Sequence, residues 1–282
     1  MCICGAGTMG RGIALAVAGS GVETILYDLH DEMISVARQH IEQELKLAFE
    51  KKRISETEKE NTFQRIRFTS AVTDCQSPLI IEAIAEKTDI KSALFRALAV
   101  FNSQETIYAS NTSSLSVTEI AEQTGFRERI LGLHFFNPAN RMKLVEIVQT
   151  KYTTDDLLNR MKAFALMLGK TPVVCRDAPG FIVNHVARPF YLEALRLAED
   201  GIADVDRIDQ LMQSAGFKMG PFHLMDLIGN DINYTVSHSL YEALDKPARL
   251  KPSALQEEKV KSGLLGIKTG SGFFQYSKPL ST

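Results

Sequence analysis

The chain has 282 residues, of which 45% are hydrophobic and 23% are charged, and its formal net charge is −2. This size fits one large domain or two ordinary ones, each with a real core. The near-neutral charge gives no reason to expect a nucleic-acid partner or binding to a membrane surface. No apolar run approaches the ~18 residues of a membrane-spanning helix, and no signal-peptide pattern opens the chain, so a cytoplasmic protein is expected.

The four cysteines are scattered along the chain. Cys2 and Cys4 lie in an apolar run too short for a metal knuckle, with no histidine cluster nearby, and Cys75 and Cys175 stand alone in sequence. Buried, reduced thiols without a metal site are therefore expected.

The first thirty residues predict a strand, a glycine turn, a helix and a second strand. The apolar run 1–4 leads into Gly5-Ala6-Gly7-Thr8-Met9-Gly10, apolar residues follow at helical spacing over 13–17, and the strand 22–27 is closed by Asp28. In such a unit the glycines permit a tight turn, close approach of a diphosphate and close helix packing. The diphosphate then lies on the helix N-terminus.

Asp28 lies where a carboxylate can bind the ribose hydroxyls of the adenosine half of a dinucleotide. The same charge repels a 2′-phosphate, and no arginine follows in the next two residues, so NAD is favoured over NADP. The alternative is a structural glycine turn that binds nothing.

Residues 31–67 have the pattern of long, charged helices. Ser55 and Glu58 form a capping box after a turn near 52–54, which predicts an antiparallel helical hairpin projecting from the sheet. Further strands are predicted at 79–84, 106–109, 130–136, 144–148 and 172–175, and Ser116 with Glu119 begins a helix between two of them. This alternation predicts a Rossmann-like, open and mostly parallel α/β sheet.

After residue 178 the strand pattern disappears. Helices are predicted at 181–197, 205–214, 231–244 and 253–261, separated by glycines and by Gly220-Pro221. The domain organisation expected is therefore an α/β domain over 1–178 and a smaller all-α domain over 179–282.

Two ionisable residues lie in strands that are apolar on both faces. They are His134, within 131–136, and Glu146, within 144–148. A buried carboxylate needs a partner, and the nearest imidazole belongs to the neighbouring strand. A His–Glu pair would fix the tautomer and leave the second ring nitrogen for proton transfer. The alternative is a core histidine bonded to a backbone carbonyl and a glutamate facing water.

Several motifs occur together in a fixed order: Gly5–Gly10, Glu82–Ile84, Ala109–Leu115, His134–Pro138, Met142–Glu146, Pro179–Asn184, Met219–Phe222 and Gly266–Phe273. By these motifs the chain resembles the short-chain 3-hydroxyacyl-CoA dehydrogenases, especially bacterial 3-hydroxybutyryl-CoA dehydrogenases, over essentially its full length. The resemblance implies an acyl-CoA substrate, the L (S) alcohol and a homodimer formed through the helical domain.

The resemblance also implies roles for single residues. The catalytic residues are His134, its partner Glu146, and Ser113 and Asn184 at the substrate oxygen. The cofactor contacts are Gly5, Gly7, Thr8, Met9, Gly10, Asp28, Glu86, Lys91, Asn111 and Asn137. Lys46, Lys51 and Lys52 form a basic patch that meets the phosphates of CoA. From the residues alone, Lys91 resembles a solvated helix residue, Glu86 an acid at a helix start, and the lysines a solvated face.

Asn140 and Arg141 depart from the proline-containing pair expected before Met142, and His223 stands where glutamate is expected. Two other functions are weighed against the main one. A dehydrogenase of small free hydroxyacids would use a catalytic lysine, and an NAD-binding structural protein, like the related lens crystallins, would have lost the chemistry. Acyl chain length, working direction and oligomeric state stay open.

Overall fold

The computed structural model describes residues 1–277. The chain divides into two compact units, Met1–Ala178 and Pro179–Thr282. Within the described residues, no helix is long and apolar enough to cross a membrane.

An eight-stranded sheet forms the centre of the first unit. Its strands are Cys2–Cys4 (β1), Thr24–Tyr27 (β2), Ile66–Thr69 (β3), Leu79–Glu82 (β4), Ile107–Ser110 (β5), Ile130–Phe135 (β6), Leu144–Gln149 (β7) and Thr171–Arg176 (β8). Their order is β3-β2-β1-β4-β5-β6-β7-β8, and only the β6–β7 pairing is antiparallel. The predicted mostly parallel α/β class is confirmed.

The strand order reverses between β1 and β4. In such folds the loops that follow these two strands open a crevice at the carboxyl ends of the strands, and ligands bind there. The helices of this unit are Thr8–Gly19 (α1), Asp31–Glu50 (α2), Glu56–Gln64 (α3), Thr88–Ala99 (α4), Val117–Glu122 (α5) and Asp155–Met167 (α6). The capping residues predicted for two of them are confirmed: Ser55 and Glu58 form a complete capping box, and the Ser116 hydroxyl accepts the amide of Glu119.

The helical hairpin ends earlier than the predicted 67. Helix α3 stops at Gln64, and β3 then pairs in parallel with β2 along their whole length. Ile66 is buried while Arg67 is exposed, which is the alternation of a short strand at the edge of a sheet. In the sequence, Arg65 and Arg67 on either side of Ile66 make this segment resemble the end of a charged helix. The hairpin is therefore the connection between two neighbouring parallel strands.

The second unit is built from the helices Val183–Glu199 (α7), Val205–Ser214 (α8), Pro221–Ile228 (α9), Asn230–Ala243 (α10) and Ala254–Lys261 (α11). Four of them match the predicted helices to within two residues at each end. Helix α9 was not predicted, because Gly220-Pro221 resembles a break. Proline instead occupies the first turn, where its missing N–H is harmless. The buried carboxylate of Asp209 accepts the amides of Phe222 and His223 at 2.9 and 2.8 Å.

Candidate active site

The glycine loop after β1 is a tight turn packed on the end of β4. Gly5 has φ +103°, and a Cβ there would lie 2.5 Å from the carbonyl oxygen of Ala83. A Cβ on Gly10 would collide with the backbone oxygen of Gly5, so both positions require glycine. At Gly7, by contrast, no described atom lies within 4 Å of an added Cβ, so the backbone is open to close approach.

The surroundings of this loop fit a dinucleotide. Thr8 and Met9 open α1, and within residues 1–277 no side chain caps the amides of its first turn. These amides and the helix dipole favour an anion such as a diphosphate. Asp28 stands beside the loop, where its Oδ2 accepts the amide of Ala6 at 2.8 Å and its Oδ1 that of His30 at 3.1 Å. The carboxylate is thereby held where a ribose would follow the diphosphate.

His134 and Glu146 form a buried pair in the antiparallel part of the sheet. The register of β6 and β7 places them directly opposite each other. His134 Nδ1 lies 2.7 Å from Glu146 Oε2, and the two residues are 6% and 1% exposed. Glu146 therefore does not face water. The contact fits a hydrogen bond in which the ring donates from Nδ1 and the carboxylate accepts.

Asn111 holds the strand that carries His134. Its Oδ1 accepts the amide of Phe135 at 2.8 Å, and its own amide donates to the carbonyl of Glu82. Through its side-chain oxygen and its backbone amide, Asn111 thus ties the ends of β4, β5 and β6 together. The ring of Phe136 packs 4.4 Å from that of His134, between ring centroids.

A second buried ion pair lies at the end of β4, and sequence reasoning missed its central residue. Glu82 is fully buried, and its Oε1 accepts Lys91 Nζ at 2.6 Å and the amide of Ile84 at 2.7 Å, while its Oε2 accepts the Ser110 hydroxyl at 2.8 Å. Burial raises the pKa of Glu82 above its usual range, against the opposing charge of Lys91. In the sequence, Glu82 carries the same signal as Glu146, because both are acidic residues within an apolar strand.

Glu86 extends this network to the loop that contains Ser113. Its Oε2 lies 3.1 Å from Lys91 Nζ, and its Oε1 accepts the Thr112 hydroxyl at 2.5 Å and the Ser113 amide at 3.1 Å. Burial would raise the pKa of Glu86, but Lys91 and these hydrogen bonds outweigh it and hold the pKa below its usual value. Lys91 is 1% exposed, so the interpretation of Lys91 as a solvated residue is wrong, and Glu86 joins a loop rather than beginning a helix.

A buried lysine fixes the turn between β6 and β7. Lys170 Nζ donates to the carbonyls of Ala139 at 2.6 Å and of Met142 at 2.8 Å. Burial lowers the pKa of Lys170. Asn140 and Arg141, the two departures from the family pattern, both reach Glu44 on α2, at 3.3 and 3.6 Å. They therefore join this turn to the helical hairpin.

The remaining predicted residues lie at the surface or in the second unit. Asn137 is exposed after β6, and the side chains of Lys46, Lys51 and Lys52 are exposed at the distal part of the hairpin. Asn184 is the second residue of α7, where its carbonyl accepts Arg188 Nε at 3.1 Å. Burial lowers the pKa of Arg188 to about 10.

His223, the third departure from the family pattern, lies at the start of α9. Its Nδ1 is 2.6 Å from Oδ2 of Asp209, the carboxylate that also accepts the first amides of this helix.

Comparison with known proteins identifies both units. The family model described as the NAD-binding domain of 3-hydroxyacyl-CoA dehydrogenase matches residues 1–178, and that of the C-terminal domain matches residues 180–276. The resemblance predicted from the motifs and NAD as the cofactor are thereby confirmed.

Individual relatives agree with this family. The chain is 41% identical to 3-hydroxyadipyl-CoA dehydrogenase of Escherichia coli, over 97% of this chain and 58% of the relative, so it spans little more than half of that protein. It is 38% identical to mitochondrial hydroxyacyl-coenzyme A dehydrogenase of Sus scrofa, over 97% of this chain and 90% of the relative. The crystal structure of (S)-3-hydroxybutyryl-CoA dehydrogenase from Ralstonia eutropha superposes with a TM-score of 0.92 at 34% identity, covering 98% of both chains. The chain therefore belongs to the 3-hydroxyacyl-CoA dehydrogenase family and is an NAD-dependent dehydrogenase.

Proposed function

We propose that this protein interconverts L-3-hydroxyacyl-CoA and 3-ketoacyl-CoA, with short acyl chains such as 3-hydroxybutyryl-CoA and acetoacetyl-CoA as its substrates. The observation that carries the proposal is the buried contact of His134 with Glu146, a general base and the carboxylate that orients it.

In the oxidising direction, Nε2 of His134 removes the proton from the substrate's 3-hydroxyl. Glu146 keeps the ring in the tautomer that can accept this proton, and its charge stabilises the imidazolium that forms. The Gly5–Gly10 loop and Asp28 would hold NAD, which would serve as the hydride acceptor. In the reducing direction the imidazolium returns the proton to the forming alkoxide.

Ser113 and Asn184 hold the reacting oxygen in this proposal. Ser113 is supported by the network around Glu86, which receives its amide and the hydroxyls of both neighbours, Thr112 and Ser114. Such a fixed loop reduces the entropy lost in orienting the substrate. Glu86, Lys91, Asn111 and Asn137 are assigned to the same edge of the sheet, as cofactor contacts or as supports of them.

The basic residues of the hairpin, Lys46, Lys51 and Lys52, are assigned to the phosphates of CoA. Their side chains are exposed, and Lys51 and Lys52 lie in the turn between α2 and α3. Ammonium groups in such positions attract phosphates through point charges. The second unit is assigned to substrate binding and to a homodimer.

The test follows NADH absorbance with acetoacetyl-CoA, with NADPH and free acetoacetate as parallel controls. Rapid loss of NADH with the CoA ester alone is expected. Equal turnover of free acetoacetate would contradict the thioester requirement. Binding of NADH without turnover of any acyl-CoA would instead favour a binding protein that has lost the chemistry.

Chain length is tested in the oxidising direction with 3-hydroxybutyryl-CoA, 3-hydroxyhexanoyl-CoA and 3-hydroxyadipyl-CoA. The last is included because the E. coli relative carries that name. The short-chain proposal expects the highest kcat/KM for the four-carbon ester. A higher value for the dicarboxylic ester would contradict it.

A further inference from the structure

Two cysteines of β1 and a third that is distant in sequence lie close together in the first unit. Cys2 and Cys4 are alternate residues of β1, so their side chains share one face of the sheet. Cys75 follows the short helical turn Val72–Asp74 that precedes β4. The three sulfur atoms all lie within 4.8 Å of one another, and all three residues are fully buried. The sequence did not predict this cluster, because the fold alone brings Cys75 to β1.

We propose that Cys2, Cys4 and Cys75 bind a thiophilic d10 metal ion through three sulfur ligands, a geometry that suits monovalent copper. Thiolates are soft ligands and select Cu(I) and Zn(II) over harder ions. With metal–sulfur bonds of about 2.3 Å, a trigonal site needs sulfurs about 4.0 Å apart. Cys2 Sγ and Cys4 Sγ are already 3.8 Å apart, and the third sulfur needs to move by less than 1 Å.

The number of ligands favours copper over zinc. Zn(II) sites are almost always four-coordinate, with Cys, His or carboxylate ligands. Across residues 1–277, the cluster that could hold a metal contains these three sulfurs and no fourth such ligand. Three-coordinate Cu(I) needs none.

The site is rigid before any ion binds. Cys2 and Cys4 belong to a strand paired on both sides, with β2 and with β4. The loop around Cys75 is held by Asn102, whose amide donates to the Cys75 carbonyl at 2.8 Å and whose oxygen accepts the Ser77 amide at 2.8 Å. Little conformational entropy would therefore be lost on binding.

Binding of Cu(I) exchanges bonds at the three sulfurs. Three copper–sulfur bonds form, and each S–H proton that the cluster carries is released to solvent, because the thiolate is the form that binds metal.

A disulfide between Cys2 and Cys4 fits the geometry of the strand less well than a metal site does. Two rises of a strand place the Cα atoms of Cys2 and Cys4 about 6.6 Å apart, near the upper limit for a disulfide. Such a bond would also leave the third sulfur unused.

The experiment titrates reduced protein with Cu(I) under anaerobic conditions, against a competing copper chelator, both in the native state and during refolding. One equivalent per chain is expected, with three sulfur neighbours by X-ray absorption and a rise in Tm. In Cys75→Ser the equivalent should be lost. Cys175→Ser is the matched control, since burial and the charge of Glu146 raise the pKa of this thiol on β8 to about 12 and it lies outside the cluster.

NADH binding and circular dichroism check that each variant is folded. A second variant, Cys2→Ser, repeats the test from the other element. The proposal is overturned if Cys75→Ser and Cys2→Ser keep the bound copper, if wild-type protein binds none under both loading conditions, or if it retains Zn(II) but not Cu(I). None of these outcomes bears on turnover of acetoacetyl-CoA, so failure here is distinct from failure of the proposed function.

Discussion

Glu146 and Glu82 are both buried glutamates in apolar strands of one sheet, yet their partners differ in kind. Glu146 is 1% exposed and faces a histidine at 2.7 Å, whereas Glu82 is fully buried and faces a lysine at 2.6 Å. An imidazole can gain and lose a proton near neutral pH, but an ammonium group paired with a carboxylate keeps its proton. The first pair is therefore suited to chemistry and the second to holding the loops that surround it.

The largest expected effect is on turnover at the histidine. His134→Ala removes the group assigned to proton transfer, so kcat with acetoacetyl-CoA should fall by about 10²–10⁴-fold. NADH affinity, measured by fluorescence titration, should stay nearly unchanged, because the glycine loop and Asp28 are intact. Turnover near the wild-type value would overturn the assignment.

Glu146→Gln tests the same pair from the carboxylate side. The amide keeps the shape but removes the charge that stabilises the imidazolium, and a fall in kcat of about 10²-fold is expected, with a modest change in KM. Thermal unfolding serves as the control. A variant that loses stability but keeps its kcat would mean that Glu146 is structural.

Glu82→Gln should act on stability rather than on the chemical step. The ammonium of Lys91 would be left buried with one carboxylate, Glu86, and loss of about 3–5 kcal/mol is typical when one partner of a buried pair is removed. Urea unfolding measures the loss. The matched variant Glu82→Gln with Lys91→Met removes both charges and should recover part of the stability. If Lys91→Met lowers the free energy of unfolding by the same amount in the Glu82→Gln protein as in the wild type, the two residues are not coupled.

The contrast between the two glutamates also shows how far the sequence can be interpreted. Glu146 was predicted to have a partner because its strand neighbours a strand with His134, and the antiparallel register made them adjacent. Glu82 follows the same rule, but its partner comes from a helix nine residues later, and sequence periodicity does not show which face of that helix is buried. Local patterns therefore predicted most of the strands and the capping residues of two helices.

Long-range contacts were beyond such patterns. Cys75 reaches β1 only through the packing of the sheet, and Asp209 caps α9 from α8. Strand β3 and helix α9 were missed for local reasons, an alternation of only four residues and a proline that begins a helix instead of ending one.

The smallest expected effect concerns Glu86, which is 39% exposed at its side chain. Its pKa is held below the usual value of about 4.3, so its charge stabilises the fold at pH values above 4.3, and this contribution is lost as pH falls through the lowered pKa. Glu86→Gln keeps an acceptor for Thr112 and Ser114 but removes the charge near Lys91. Solvent screening limits the loss to about 1 kcal/mol or less at pH 7. Thermal unfolding of both proteins between pH 3 and pH 7 should show a difference in Tm that shrinks toward the acid end. A difference in Tm that stays constant with pH would mean that Glu86 stabilises the loop through its hydrogen bonds rather than through its charge. Lys91 would then stabilise the loop only through its contact with Glu82.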